Sequence, residues 1–260
     1  MAEPGLLCVH AHPDDEALWT GGVLAKYAGA GARTGVVTCT WAEGTRRAGE
    51  LERSLDILGA GAPRLLGYAD NGVPDSAPGA PPFSEAPFDE VTERLVGQIR
   101  RFRPDVVITY DAYGGYGHPD HVRAHRATVA AVEAAGHDQL YPESGAPWQP
   151  RALYLVTVAR SVVAEVWREA FGERAEDGGP LPGVPDERIT TVVDVRPWAD
   201  RKWAALHAHV SEVERGAAFT RLTSLPAPLR DRLLGTEWYL RRDLVPAAGP
   251  GRDLPGEGLL

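Results

Sequence analysis

The chain has 260 residues, a formal net charge of −9 at neutral pH, two cysteines, and an ordinary globular composition apart from 29 glycines and 22 prolines. That length suffices for one large α/β domain or two small ones, either with a proper core. The negative balance and scattered arginines argue against a general nucleic-acid or anionic-membrane surface, since both need clustered Lys and Arg. No stretch approaches the ~20 apolar residues of a membrane span, and the N-terminus lacks a basic segment followed by a long apolar run. Cys8 and Cys39 sit in apolar, strand-like runs and read as small buried hydrophobes rather than a disulfide or thiolate metal site. A soluble, cytoplasmic protein is expected.

In chain order, Leu6 to Val9 reads as a buried strand that ends in His10, Ala11, His12, Pro13, Asp14, Asp15 and Glu16. Thr20 to Ala30 follows as a helix, and Thr34 to Thr40 as a second β-branched strand. Arg46 to Leu58 has an amphipathic pattern with Leu51, Leu55 and Leu58 on one face, closed by Gly59. Arg64 to Tyr68 is a third strand, followed by a long Pro-, Gly- and Ser-rich loop from Ala69 to Pro87, of the kind that carries function. Helix Val91 to Phe102 leads into DVVITY, Asp105 to Tyr110, the clearest strand of the chain. A polar, glycine-rich loop, Asp111 to His121, then opens a helix from Val122 to Ala135.

The second half is less regular. Strands are expected over Ala152 to Val158 and Ile189 to Val195, helices over Val162 to Phe171 and Pro197 to Val213, and a polar loop over Glu173 to Pro185. The whole predicts a Rossmann-like α/β fold: a mostly parallel sheet, helices on both faces, and an active site at the carboxyl ends of the strands. One domain covers residues 1–245, and residues 246–260 read as a flexible tail.

The first loop packs two imidazoles and three carboxylates into seven residues, which packing alone explains poorly because buried charges need partners or a metal. His12 and Asp15, three apart around a proline, can turn toward one divalent ion and leave Asp14 free as a general base. The bland alternative is that Asp14, Asp15 and Glu16 only cap the next helix. The second loop repeats the pattern in His118, Pro119, Asp120 and His121, so that one imidazole can complete the site. Two histidines and a carboxylate with an open position describe a catalytic zinc site. The remaining histidine is then free to hold a proton, with Asp120 to orient it.

Ala11-His12-Pro13-Asp14-Asp15-Glu16 and Gly117-His118-Pro119-Asp120-His121, joined by this α/β pattern, resemble the LmbE-like or PIG-L family of zinc-dependent N-deacetylases. Within it, the second loop looks most like the mycothiol-pathway deacetylase and mycothiol conjugate amidase branch, and the resemblance runs from Leu6 to about Leu240. It implies His12, Asp15 and His121 as ligands of one zinc ion, with ferrous iron as the other candidate. It further implies Asp14 as the base, His118 as acid or oxyanion partner with Asp120 orienting it, and Tyr116 assisting at the tetrahedral intermediate. Arg47 and Asp70 match positions that contact substrate hydroxyls. The implied activity removes an N-acetyl or related N-acyl group from a small amino-sugar compound, with no nucleic-acid or membrane partner and with homo-oligomerisation left open.

Only WAEGTR separates the second strand from the helix bearing Arg47, a shorter rim than the mycothiol enzymes have, and this points to a different natural substrate. His10 reads as pocket-lining or packed, and His125, His207 and His209 as helix-surface or supporting residues. Competing readings are an amidase acting on thiol conjugates, a metal-dependent phosphoesterase, and a nucleotide-binding module. A phosphoesterase wants more metal ligands and a basic pocket, whereas the loops offer only Arg46, Arg47 and Arg123. A nucleotide cradle fails on the negative first turn, where phosphate needs glycine-rich backbone.

Overall fold

β1 (Gly5–His10) and β4 (Val106–Tyr110) are buried along their whole lengths, and β2 (Arg33–Thr40) at every residue but the first. Strands covered on both faces are what a parallel sheet flanked by helices requires. The computed structural model describes residues 3–171, 182–216, 222, 224–245 and 259–260. With β3 (Arg64–Tyr68), β5 (Ala152–Thr157), β6 (Thr191–Asp194) and β7 (Thr236–Asp243), the strands form one sheet in the order β3-β2-β1-β4-β5-β7-β6. The pairs among β1 to β5 are parallel, and β7 runs antiparallel to both β5 and β6.

Helices α1 (Asp15–Gly29), α2 (Arg46–Leu58) and α7 (Ala199–Ala208) pack together, while α3 (Phe88–Phe102) pairs with α5 (Pro119–Ala134). The sheet is thus dressed on both faces, as the sequence pattern predicts. α2 matches its expected bounds because its ends are chemically marked. Thr45 accepts the Ala48 N–H at the N-cap, and Gly59 closes the helix at φ 75.

Two boundaries differ from expectation in a way that matters for chemistry. α1 begins at Asp15 rather than Thr20, so the acidic residues are its first turn. α5 begins at Pro119 rather than Val122, since proline is preorganised for the first helical position. A four-residue turn of helix, α4 (Gly114–Gly117), precedes it.

The C-terminal half departs further. The helix expected over Pro197 to Val213 is broken at His209, φ −82 and ψ 64, which separates α7 from α8 (Val210–Arg215). α6 (Arg160–Phe171) is found two residues early, and α9 (Ala227–Gly235) and β7 are elements the sequence pattern did not mark. Residues 173–181 of the expected polar loop and 246–258 of the expected tail lie outside the described residues. Leu259, by contrast with a free tail, is 5% exposed and directs its N–H to the Tyr27 hydroxyl. No helix among the described residues is long and apolar enough to cross a membrane.

β7 is tied to the first helix by a buried pair. Lys202 Nζ donates to Glu237 Oε1 at 2.7 Å, and the same carboxylate accepts the N–H groups of Gly22 and Val23 and the Tyr239 hydroxyl. Such a pair is tolerated because every oxygen is also hydrogen-bonded. The sheet order leaves β1 toward β2 on one side and β4 on the other, and the crevice beyond the ends of these two strands is where such folds bind ligands. Both His-Pro-Asp loops open there.

Candidate active site

The chain leaves β1 at His10 and enters α1 at Asp15, so four residues make the whole turn. Asp14, the N-cap, has φ 120 and ψ −28, a conformation that L-residues rarely adopt. Such a backbone costs on the order of 1–3 kcal/mol and persists only where its surroundings hold it. On the other side, Asp111 Oδ1 accepts the N–H groups of Tyr113 and Gly115 and organises the glycine-rich loop. Gly114 is required there: it has φ 67, and a Cβ on it would lie 2.6 Å from that of His121.

Three donor atoms converge between the loops. His12 Nδ1 lies 3.2 Å from His121 Nε2 and 3.4 Å from Asp15 Oδ2, and His121 Nε2 lies 3.4 Å from the same Asp15 oxygen. Tetrahedral coordination with bonds of about 2.0–2.1 Å separates ligand atoms by roughly 3.3–3.4 Å, so these three fit one face around a small divalent ion. Each imidazole is also held by its far nitrogen: His121 Nδ1 is 3.0 Å from Gly114 O, and His12 Nε2 is 3.2 Å from Asp120 Oδ2. Such outer contacts are how proteins orient metal-binding histidines.

Looser groupings also exist, His12 with His118 and His121, and His12 with Asp70, His118 and Asp120, their donors within 4.8 Å of one another. The set with Asp15 is the tighter one. Its third member is further fixed by Tyr110, whose hydroxyl donates to Asp15 Oδ2 at 2.6 Å, accepts the Ala11 N–H at 2.7 Å, and whose ring stacks on His121.

The electrostatics agree with a cation-seeking site. Burial opposes protonation of His12, yet hydrogen bonds to Asp120 and Asp15 raise its pKa to about 10. Burial pushes Asp15 up, but the neighbouring His121 and His12 outweigh it and hold the carboxyl well below the usual range. Burial lowers His121 to about 4, so it is a neutral ring able to offer a lone pair. Asp14 is pushed up by burial and by Asp15, against the pull of Arg47.

The other expected residues distribute as follows. Asp14, His118, Tyr116, Arg47 and Asp70 all line a cavity of about 1010 Å³ together with His12 and Asp15. His118 is the N-cap of α5, its Nδ1 accepting the Asp120 N–H at 3.2 Å. Tyr116 is 53% exposed at the rim, its ring 5.0 Å from that of His121. Asp70 uses Oδ1 on the Gly72 N–H and keeps Oδ2 3.7 Å from His12 Nε2. A second concavity of about 950 Å³, beside β6, α7 and α9, touches none of these residues.

Two of the expected residues have partners that the sequence did not suggest. The Asp120 carboxylate is wholly buried, 3.2 Å from His12 Nε2, and accepts the Asn71 N–H, while its hydrogen bond with His118 runs through its backbone N–H. Arg47 does not present a free guanidinium to substrate hydroxyls. It is 5% exposed, with one arm on Asp14 Oδ2 at 2.8 Å and the other on Glu212 Oε1 at 2.7 Å, and its plane lies over Trp41. His10 packs against Tyr110 with Nε2 2.9 Å from the Thr20 hydroxyl, away from the cavity.

Sequence reasoning missed Tyr110, Glu212 and the inward turn of His209, whose Nε2 lies 2.7 Å from Glu16 Oε1. Tyr110 had a signal, being the last residue of the clearest strand and adjacent to the second loop. His209 and Glu212 had none, since nothing local ties His209 to a residue 193 positions earlier.

Residues 7–132 match the PIG-L family, described as GlcNAc-PI de-N-acetylase. A 1D-myo-inositol 2-acetamido-2-deoxy-alpha-D-glucopyranoside deacetylase of Rhodococcus jostii is 42% identical, the alignment covering 98% of this chain and 96% of the relative. The enzyme of the same name from Rhodococcus opacus is 46% identical over 94% of this chain and 88% of its own. Among solved structures, a conserved protein of Thermus thermophilus superposes with TM-score 0.63 at 26% identity, covering 94% and 96% of the two chains. The N,N'-diacetylchitobiose deacetylase of Pyrococcus horikoshii shares the fold, with TM-score 0.61 at 17% identity over 92% and 84%. On the strength of these near-full-length relatives and the loops that carry its donor atoms, the chain belongs to the PIG-L family of de-N-acetylases.

Proposed function

We propose that this chain is a metal-dependent hydrolase that removes the N-acetyl group from a glucosaminyl inositol of the kind its relatives are named for. The observation that carries the reading is the convergence of His12 Nδ1, Asp15 Oδ2 and His121 Nε2 at 3.2–3.4 Å, with His12, Asp15 and the neighbouring Asp14 lining one cavity. His12, Asp15 and His121 would hold one ion, zinc or ferrous iron by the hardness of the N₂O donor set. That ion supplies Lewis acidity toward the amide carbonyl and toward water.

The remaining work falls to the chain's own residues. Asp14 takes a proton from the attacking water, its upward-shifted carboxyl suiting a base that must later release the proton. The His118 ring accepts the Asp120 N–H at Nδ1, which leaves its proton on Nε2. In that tautomer the neutral ring serves best as a hydrogen-bond donor to the developing oxyanion, with the Tyr116 hydroxyl beside it. The proton held by Asp14 then passes to the amine as the C–N bond breaks, yielding acetate and the free amino sugar.

The alternatives lose support. A phosphoesterase needs cations for its anionic substrate, but Arg46 is spent on Glu50 and Glu214, Arg47 on Asp14 and Glu212, and Arg123 on Ala86 O over Phe88. The amidase reading has no relative of that name among those described above. The short rim from Trp41 to Arg46 points to another substrate, whereas the full-length relatives favour the inositol glucoside. The two are separated by amine release, as kcat/KM, from 1D-myo-inositol 2-acetamido-2-deoxy-α-D-glucopyranoside and from N-acetylglucosamine, each with and without a chelator. A preference for the inositol glucoside that chelation abolishes is expected; metal-independent release, or none from either compound, overturns the reading.

A further inference from the structure

Glu16 is the one acidic residue of the first loop that does not face the cavity. It is 0% exposed, and both of its oxygens are in use. Oε2 accepts the backbone N–H of Asp14 at 2.9 Å, while Oε1 accepts from the Ser54 hydroxyl at 2.5 Å and lies 2.7 Å from His209 Nε2. Glu16 belongs to α1, Ser54 to α2, and His209 to the break between α7 and α8. Three separate elements are therefore joined to one backbone N–H of the loop.

That N–H belongs to the residue with the strained backbone. The Asp14 carbonyl is committed to α1 through the N–H groups of Ala17 and Leu18, and its carboxylate to Arg47 at 2.8 Å. With φ at 120, this backbone persists only where its surroundings fix it, and the Pro13–Asp14 peptide is held at both ends: Arg47 donates to Pro13 O, and the Glu16 carboxylate accepts the Asp14 N–H.

We propose, resting on the reading of Asp14 as the base, that Glu16 is a positioning residue: clamped by Ser54 and His209, it fixes the Asp14 backbone and so aims the base at the donor atoms. It touches neither substrate nor ion. A misplacement of about 1 Å at a reacting group costs on the order of a hundredfold in rate, which sets the scale.

The test compares Glu16→Gln, Ser54→Ala and Asp14→Ala in the zinc-loaded full chain, reading kcat, KM and zinc content by elemental analysis. For Glu16→Gln, a kcat loss of about ten- to a hundredfold is expected with KM and zinc content within about twofold of wild type. Ser54→Ala, which loosens the clamp and removes nothing from Asp14, is expected to lose about three- to tenfold in kcat alone. A wild-type kcat in a folded Glu16→Gln, or a loss matched by zinc loss or a KM rise, overturns the proposal. If Glu16→Gln does not fold, Ser54→Ala decides on the same criteria. If Asp14→Ala itself keeps the wild-type kcat, the reading of the base is what has failed.

Discussion

Two loops carry the same tripeptide, His-Pro-Asp, and fold it in opposite ways. In the first, the helix begins after the tripeptide, so Asp14 is an N-cap at φ 120 with its side chain 30% exposed toward the cavity. In the second, the helix begins at the proline, so Asp120 lies in the first turn, wholly buried, with its carboxylate on His12 and the Asn71 N–H. The histidines exchange roles as well. His12 contributes to the donor triad and His118 caps a helix. A repeated motif therefore does not repeat a placement: a small shift of helix phase decides whether its aspartate faces the cavity or is buried against a neighbouring imidazole.

The comparison is most directly broken at the two aspartates. Asp14→Ala should lower kcat by about 10²–10⁴-fold while retaining the metal, since general-base catalysis is worth that much. Turnover and elemental analysis check it, and metal loss would exchange the roles assigned to Asp14 and Asp15. Asp120→Ala should do the reverse, weakening metal affinity about 10–100-fold through the unsupported His12 ring, with kcat largely restored at saturating metal. Titration against a competing chelator measures this, and an unchanged affinity would return Asp120 to His118.

Smaller effects sharpen the same contrast. Tyr110→Phe removes the hydroxyl that serves Asp15 and leaves the Ala11 N–H unpaired, which should cost about 1–3 kcal/mol in urea unfolding. Pro119→Ala should cost only about 0.4–1 kcal/mol by the same assay, because its contribution is to restrict the unfolded chain at a position already helical.

The parallel half of the fold was legible because β1, β4 and most of β2 are buried and read as apolar or β-branched runs, and because α2 carries Thr45 and Gly59 at its ends. The spacing of His12 and Asp15 and the His-Pro-Asp-His of the second loop marked where donor atoms gather, while the choice of His121 over His118 came from the family resemblance. Helix phase was not. Carboxylates at 14 to 16 and a proline at 119 fit either side of a helix start, so the exchange between Asp14 and Asp120 lay below what spacing resolves. The ion pair of Arg47 was hidden for another reason: its partner Glu212 comes from a distant helix, and long-range ion pairs leave no local trace. β7 escaped notice because TEWYLRRD mixes charge with its apolar residues. It buries Trp238, Tyr239 and Glu237 yet leaves its last residues exposed.

The placement of β7 between β5 and β6 bears on how the protein comes to be active during synthesis. The strand that joins β5 to β6 is the last of the described strands to leave the ribosome, and Glu237 within it reaches back 215 residues to the Gly22 N–H. His209, which grips Glu16, also belongs to this late segment. A nascent chain that has made both His-Pro-Asp loops still lacks the elements that brace the first one. Contacts of such sequence separation form late and slowly. The bracing of the first loop should therefore be completed only as β7 docks.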